Sequence, residues 1–236
     1  RMLSAGRVVT CTGDAEYGVV VDGAVVIEAG RVVACGPRLE LLDAHPQVEH
    51  EAHPDAVITP GLVDAHTHAV WAGSRSGEYA MRMAGADYEE IAAAGGGIVA
   101  SMRAVREATV ESLRDELEGR LRRMATLGVT TVEVKSGYGL DEENERKQLE
   151  AIAQLRGRDD LPALVPTFLG MHALPPEANG DKLAHAARCK TWLEGIASDG
   201  LVDYVDAYVD RSAFSTEQAR PVLERARELG LGVRLH

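Results

Sequence analysis

Cysteine is scarce: the 236-residue chain has only Cys11, Cys35 and Cys189. This odd, widely spaced trio contains no C-x-x-C pair. It supports no disulfide framework and points to free thiols in a reducing compartment. Long apolar runs are also missing. None approaches the roughly 20 residues that a transmembrane helix needs. The start, Arg1-Met2-Leu3-Ser4, lacks the apolar stretch of a signal peptide, so the expected location is the cytoplasm. Positive charge is in deficit, with 25 Lys+Arg against 37 Asp+Glu and a net charge of −12. That balance argues against a nucleic-acid or anionic-membrane partner. What is present is ordinary globular composition, 45% hydrophobic and 26% charged. The chain is long enough to bury a core without staples.

Residues 1–58 read as a small β domain. Short β-branched runs, Val8–Cys11, Val19–Val21, Ala24–Glu28 and Arg31–Cys35, are separated by Asp22-Gly23 and Ala29-Gly30, in the manner of hairpins. His45 to Asp55, with two prolines and three histidines, reads as a surface loop. His45, His50 and His53 follow no rigid element and are expected to be exposed loop residues, not metal ligands.

From Thr59 the pattern becomes strand and helix in alternation. Strands are expected at 62–70, 129–135, 163–169, 202–209 and 232–236. Helices are expected at 87–94, 98–127, 142–155, 182–198 and 216–229, the last entered by Ser215 and ended by Gly230. Such alternation implies a parallel sheet covered by helices. An open dinucleotide-binding sheet would show G-x-G-x-x-G after the first strand, and none is found. Polar residues gather instead at the carboxyl ends of successive strands, as in a (β/α)8 barrel: His66 and His68, then Lys135 to Tyr138, then His172, then His236.

His66-Thr67-His68 is the strongest signal. On a strand, residues i and i+2 face the same way, so two imidazoles can converge on one cation. Asp64 shares that face and could orient a ligand histidine. Burying three polar side chains on one strand face is costly unless they are paired or coordinated.

Pro60 to His68 resembles the opening strand of the amidohydrolase superfamily. Tyr88 to Ile98, Lys135 to Leu140 and Phe168 to Glu177 are similar, more specifically, to its imidazolonepropionase family. The resemblance runs from about Thr59 to His236. Ala65, Trp71-Ala72 and Met171 depart from common family residues without touching a proposed ligand. The resemblance implies hydrolytic opening of 4-imidazolone-5-propanoate to N-formimidoyl-L-glutamate. It also implies one divalent or trivalent metal ion, zinc or iron, on His66, His68 and His236, completed by an aspartate on an eighth strand. Binuclear relatives use a lysine on the fourth strand. Val202 to Asp210 has none, so a single metal is the simpler reading.

A propanoate-bearing ring needs a cationic partner, which an arginine fork supplies. Arg75, on the loop after the first strand, matches the family's carboxylate-binding arginine, and Arg82 is the weaker competitor. Tyr138, in a Ser-Gly-Tyr-Gly turn, is expected to hydrogen-bond the ring. His172 is expected to donate to its carbonyl oxygen. Tyr88 matches a position near the pocket. Gly95-Gly96-Gly97 lacks the Lys-Ser/Thr of a phosphate loop and reads as a tight turn or lid. Glu133 and Lys135 are expected to form a structural ion pair inside the barrel. The general acid and base of the family fall after His236, so none is assigned.

The expected architecture is an α/β protein: residues 1–58 as the small β domain and 59–236 as an incomplete TIM-type barrel of the amidohydrolase kind. It supplies five strands where a closed barrel takes eight and about 250 residues. A truncated barrel, insoluble or weakly metal-binding when expressed alone, is the corresponding expectation. The expected partners are a small-molecule substrate and a second copy in a homodimer. The rival readings are another cyclic-amide hydrolase, a cytosine-deaminase-like enzyme, and an inactive barrel fragment.

Overall fold

The structure, a computed structural model, describes residues 1–13, 16–87, 90, 95–211 and 213–236. It divides into two compact units, Arg1–Gly61 and Leu62–His236.

In the first unit, β1 (Met2–Val9), β2 (Val19–Glu28), β3 (Arg31–Pro37) and β4 (His50–Ile58) form one sheet in the order β3-β2-β1-β4, with α1 (Arg38–Ala44) before β4. Two readings of the sequence are corrected here. Asp22-Gly23 does not reverse the chain. Asp22 takes φ 48° within β2, its carboxylate holds Arg38 through bonds of 2.8 and 2.9 Å, and Gly23 stays paired with Ala5. The strand absorbs the local twist. The supposed loop from His45 to Asp55 contains most of β4, a parallel partner of β1. Pro54 is tolerated because β4 is an edge strand whose register shifts opposite Ala5 and Arg7. On β4, His50 Nε2 lies 2.8 Å from Ser4 Oγ and His53 Nε2 lies 2.9 Å from Glu51.

The second unit carries a five-stranded parallel sheet in chain order: β5 (Leu62–Asp64), β6 (Val129–Lys135), β7 (Ala163–Met171), β8 (Tyr204–Ala207) and β9 (Gly232–Val233). Helices α2 (Ser76–Met83), α3 (Ile98–Glu107), α4 (Val110–Thr126), α5 (Glu142–Ala153), α6 (Lys182–Ser198) and α7 (Thr216–Glu228) join them. Sequential parallel pairing with helical crossovers is how a (β/α) barrel is built. The helices adhere through apolar stripes. Leu113, Leu117 and Leu121 of α4 recur every four residues, are fully buried and join one core with Leu149, Ile152 and Val132. Each such leucine contributes about 1.5–3 kcal/mol.

Three expectations change in this unit. The helix expected over 98–127 is two helices, because Ala108 is extended and Thr109 caps α4 by accepting from Ser112 N at 3.1 Å. α2 occupies residues read as loop. β5 stops at Asp64 rather than running to residue 70. Beyond it, the Thr67 hydroxyl donates to the Glu133 carbonyl at 2.5 Å. The side chain thus satisfies the oxygen that a continuing strand would have met with an N–H. The helix expected over 87–94 lies largely outside the described residues.

Candidate functional site

The site forms where β5, β6, β7 and β9 end. Thr67 anchors the segment after β5, since its carbonyl accepts from Lys135 N at 3.0 Å while its hydroxyl holds Glu133. His66 and His68 flank this buried threonine. His236 follows β9, where its N–H donates to Ala207 O and its carbonyl accepts from Val209 N. The three histidines converge. Each offers a nitrogen within 4.8 Å of the others, the one such donor cluster among the described residues. The ring centroids of His66 and His236 lie 4.6 Å apart, and those of His66 and His68 lie 5.5 Å apart.

The donor chemistry suits a metal ion. His68 Nδ1 is buried and has no hydrogen-bond partner, an arrangement that costs free energy unless a cation meets it. Burial, followed by the charges of His172 and His66, pushes His68 down to about 3. Burial likewise lowers His66, with Lys135 next. Neutral imidazoles are what a cation requires.

Asp206, on β8, was not anticipated. His236 Nδ1 donates to its Oδ2 at 2.8 Å, and Lys135 Nζ donates to the same oxygen at 2.7 Å. Lys135 also pairs with Glu133 at 2.7 Å, and all three side chains in this cluster are 1% exposed. Glu133 in turn accepts from Thr167 at 2.7 Å and pairs with Arg234 at 2.9 Å. The expected Glu133–Lys135 ion pair is therefore present, as part of a larger network. Asp206, not Asp64, is the carboxylate that meets a site histidine. Its only trace in the sequence is an acidic residue between Val205 and Ala207.

Beside the histidines lies a cavity of about 400 Å³, lined in part by His68, Trp71, Arg75, Ser101 and Tyr138. Its wall after His68 is tied to α4: Arg120 donates to Ala69 O and Trp71 O at 2.8 Å, with its guanidinium 3.8 Å over the Trp71 ring. Arg75 precedes α2 and pairs with Glu78 at 2.7 Å, while Glu78 also accepts from Gly97 N at 3.0 Å. Gly95 and Gly97 adopt φ 82° and 75°, forming the turn into α3. Burial raises the Tyr138 hydroxyl, and the nearby Arg75 charge opposes that rise. Arg82 is exposed on α2. Tyr88 lies outside the described residues.

His172 stacks on His68 with centroids 4.6 Å apart and sits 5.3 Å from the Tyr138 ring. Its Nδ1 lies 2.8 Å from the Gly137 carbonyl, which only accepts, so the proton resides on Nδ1. Burial lowers this histidine, with the Gly137 bond opposing. With Nδ1 bound to Gly137 O, Nε2 is the ring nitrogen left for a ligand.

A family model described as "Imidazolonepropionase-like composite domain, bacteria" matches residues 23–47. A protein of Cupriavidus metallidurans named imidazolonepropionase is 48% identical over 216 residues, 91% of this chain and 52% of that protein. One of Pseudomonas putida with the same name is 46% identical over 235 residues, 97% of this chain and 57% of that protein. The chain thus spans about half the length of the curated relatives it matches. Among solved structures, A. niger ochratoxinase matches with TM-score 0.64 at 14% identity, over 100% of this chain and 55% of that one. Guanine deaminase of C. acetobutylicum matches with TM-score 0.64 at 13% identity, over 100% and 52%. Such likeness establishes the fold, an incomplete α/β barrel represented by five parallel strands among the described residues.

Proposed function

We propose, from a chain homologous to the imidazolonepropionases over nearly its whole length, that the whole protein hydrolyses 4-imidazolone-5-propanoate to N-formimidoyl-L-glutamate in histidine breakdown. Water adds its oxygen to the ring carbonyl carbon, the ring C–N bond of that amide breaks, and the departing nitrogen takes a proton. One observation carries this reading: a cavity of about 400 Å³ has His68 and Arg75 on the same wall set. It suits a small ring with a carboxylate tail.

His66, His68 and His236 would hold one metal ion, zinc or iron, both of which suit imidazole ligands. When bound, it supplies the Lewis acidity that activates water near neutral pH. Asp206 fixes the His236 tautomer by accepting from Nδ1, leaving Nε2 for a cation. Arg75 binds the propanoate through its guanidinium. The Tyr138 hydroxyl hydrogen-bonds the ring. His172 Nε2 accepts from a ring N–H and orients the amide against the histidines. The reading places the enzyme in the cytoplasm, as a homodimer acting on a small molecule.

The test is turnover by the metal-loaded full-length protein of imidazolone propanoate, cytosine and dihydropyrimidines. Preference for the imidazolone supports the reading, and preference for cytosine would replace it with a deaminase.

A further inference from the structure

We propose that Glu145 of α5 is a positioning residue that sets both Tyr138 and His172 by clamping the Ser136–Leu140 turn between them; this deepens the proposed function and rests on it for the identity of the substrate. Glu145 is fully buried, yet it faces no lysine or arginine among its hydrogen-bond partners. Its partners belong to the turn: backbone N–H groups and the Ser136 side chain. Oε1 accepts from Gly139 N at 2.9 Å and Leu140 N at 2.8 Å, and Gly137 N donates to Oε2 at 2.9 Å and to Oε1 at 3.2 Å. One helical turn on, Gln148 Oε1 accepts from Tyr138 N at 3.1 Å and Gly139 N at 3.0 Å, and its Nε2 donates to Val70 O at 2.6 Å. Consecutive N–H groups of the turn thus point into the helix. The turn's outward carbonyl, Gly137 O, takes the proton of His172 Nδ1 at 2.8 Å. Gly137 has φ 109°, and a Cβ there would sit 3.1 Å from His172 Cβ and Nδ1. The turn and the imidazole therefore meet at van der Waals distance and fix each other.

Both carboxyl oxygens accept from the turn, whereas a carboxamide offers a single acceptor oxygen. A carboxamide can satisfy Gly139 and Leu140 through its oxygen, but it then turns an NH2 towards the Gly137 N–H. Glu145→Gln therefore removes the shorter of the two bonds from Gly137 N and loosens the carbonyl that fixes the His172 proton. Arg75 pairs with Glu78 of α2.

The experiment uses Glu145→Gln in the full-length metal-loaded protein, with Gln148→Met as the second variant should the first fail to fold. Side-chain ¹⁵N resonances of His172 are read near neutral pH together with kcat and KM for imidazolone propanoate. The parent should show one tautomer, protonated at Nδ1. The variant should shift towards a tautomer mixture, with kcat down about 10- to 100-fold, the size of loss a displaced reacting geometry produces, and KM within about threefold. An unchanged His172 signature with parental kcat in a folded variant overturns the proposal. The resonance arm reads positioning whatever the parent hydrolyses, so a parent inactive on imidazolone would retire the substrate reading alone.

Discussion

Asp206 Oδ2 accepts two hydrogen bonds, from His236 Nδ1 at 2.8 Å and from the buried Lys135 Nζ at 2.7 Å. One carboxylate oxygen therefore links a candidate metal ligand to a buried cation. A partner of this kind orients a ligand imidazole and raises its basicity. Asp206→Asn should weaken metal affinity by about 10- to 100-fold, measured by competition against a chromophoric chelator. Parental affinity would assign Asp206 to charge balance alone.

Removing the cation itself tests the other half of that network. Lys135→Met leaves Glu133 and Asp206 buried without their common partner. Breaking a buried ion pair from one side costs about 3–5 kcal/mol. Denaturant unfolding of the metal-free protein should show a loss of that order. A loss under about 1 kcal/mol, the range typical of exposed pairs, would mean that solvent reaches the cluster.

Arg75 lies on the cavity with Tyr138 and supplies the charge a propanoate needs. Arg75→Ala should reduce kcat/KM more than about 100-fold, through KM with little change in kcat, the pattern of lost binding common to ground and transition states. An enzyme with parental KM would place the carboxylate elsewhere.

The half-buried His68 imposes a pH dependence with a definite sign. His68 is lowered from 6.5 to about 3. Above 6.5 it is neutral in both folded and unfolded chains. As pH falls towards about 3, the unfolded chain takes up the proton first, so stability is lost across that window. The metal-free melting temperature should fall between pH 6.5 and pH 4, and His68→Asn should flatten part of that slope. An identical slope in the variant would show that other groups set it.

Ser215 caps α7 in a full capping box, with Gln218 N donating to its hydroxyl and Gln218 Oε1 accepting from Ser215 N at 2.8 Å. Ser215→Ala should cost about 1 kcal/mol, read as a lowered unfolding midpoint with the slope unchanged. No shift would show that α7 is held by its buried Ala219, Val222 and Ala226 face alone.

Local chemistry made much of this legible in the sequence. The helix over Lys182–Ser198 and the entry to α7 follow from periodicity and capping residues. His66 and His68 stood out as an H-x-H pattern on one strand, and His236 joined them through the family resemblance. What escaped depends on contacts between distant residues. The early end of β5 is decided by a bond from Thr67 to Glu133. Asp206 is defined by Lys135 and His236, and Glu145 by a turn whose backbone it fills. The bond from His172 Nδ1 to Gly137 O is a contact of the same distant kind.

The most direct test of the central claim is the X-ray absorption spectrum of the full-length protein loaded with one equivalent of zinc. Three imidazole nitrogens at roughly 2.0–2.1 Å, falling to two in His236→Ala, are predicted. A spectrum with fewer than three imidazoles, or one that His236→Ala leaves unchanged, would contradict it.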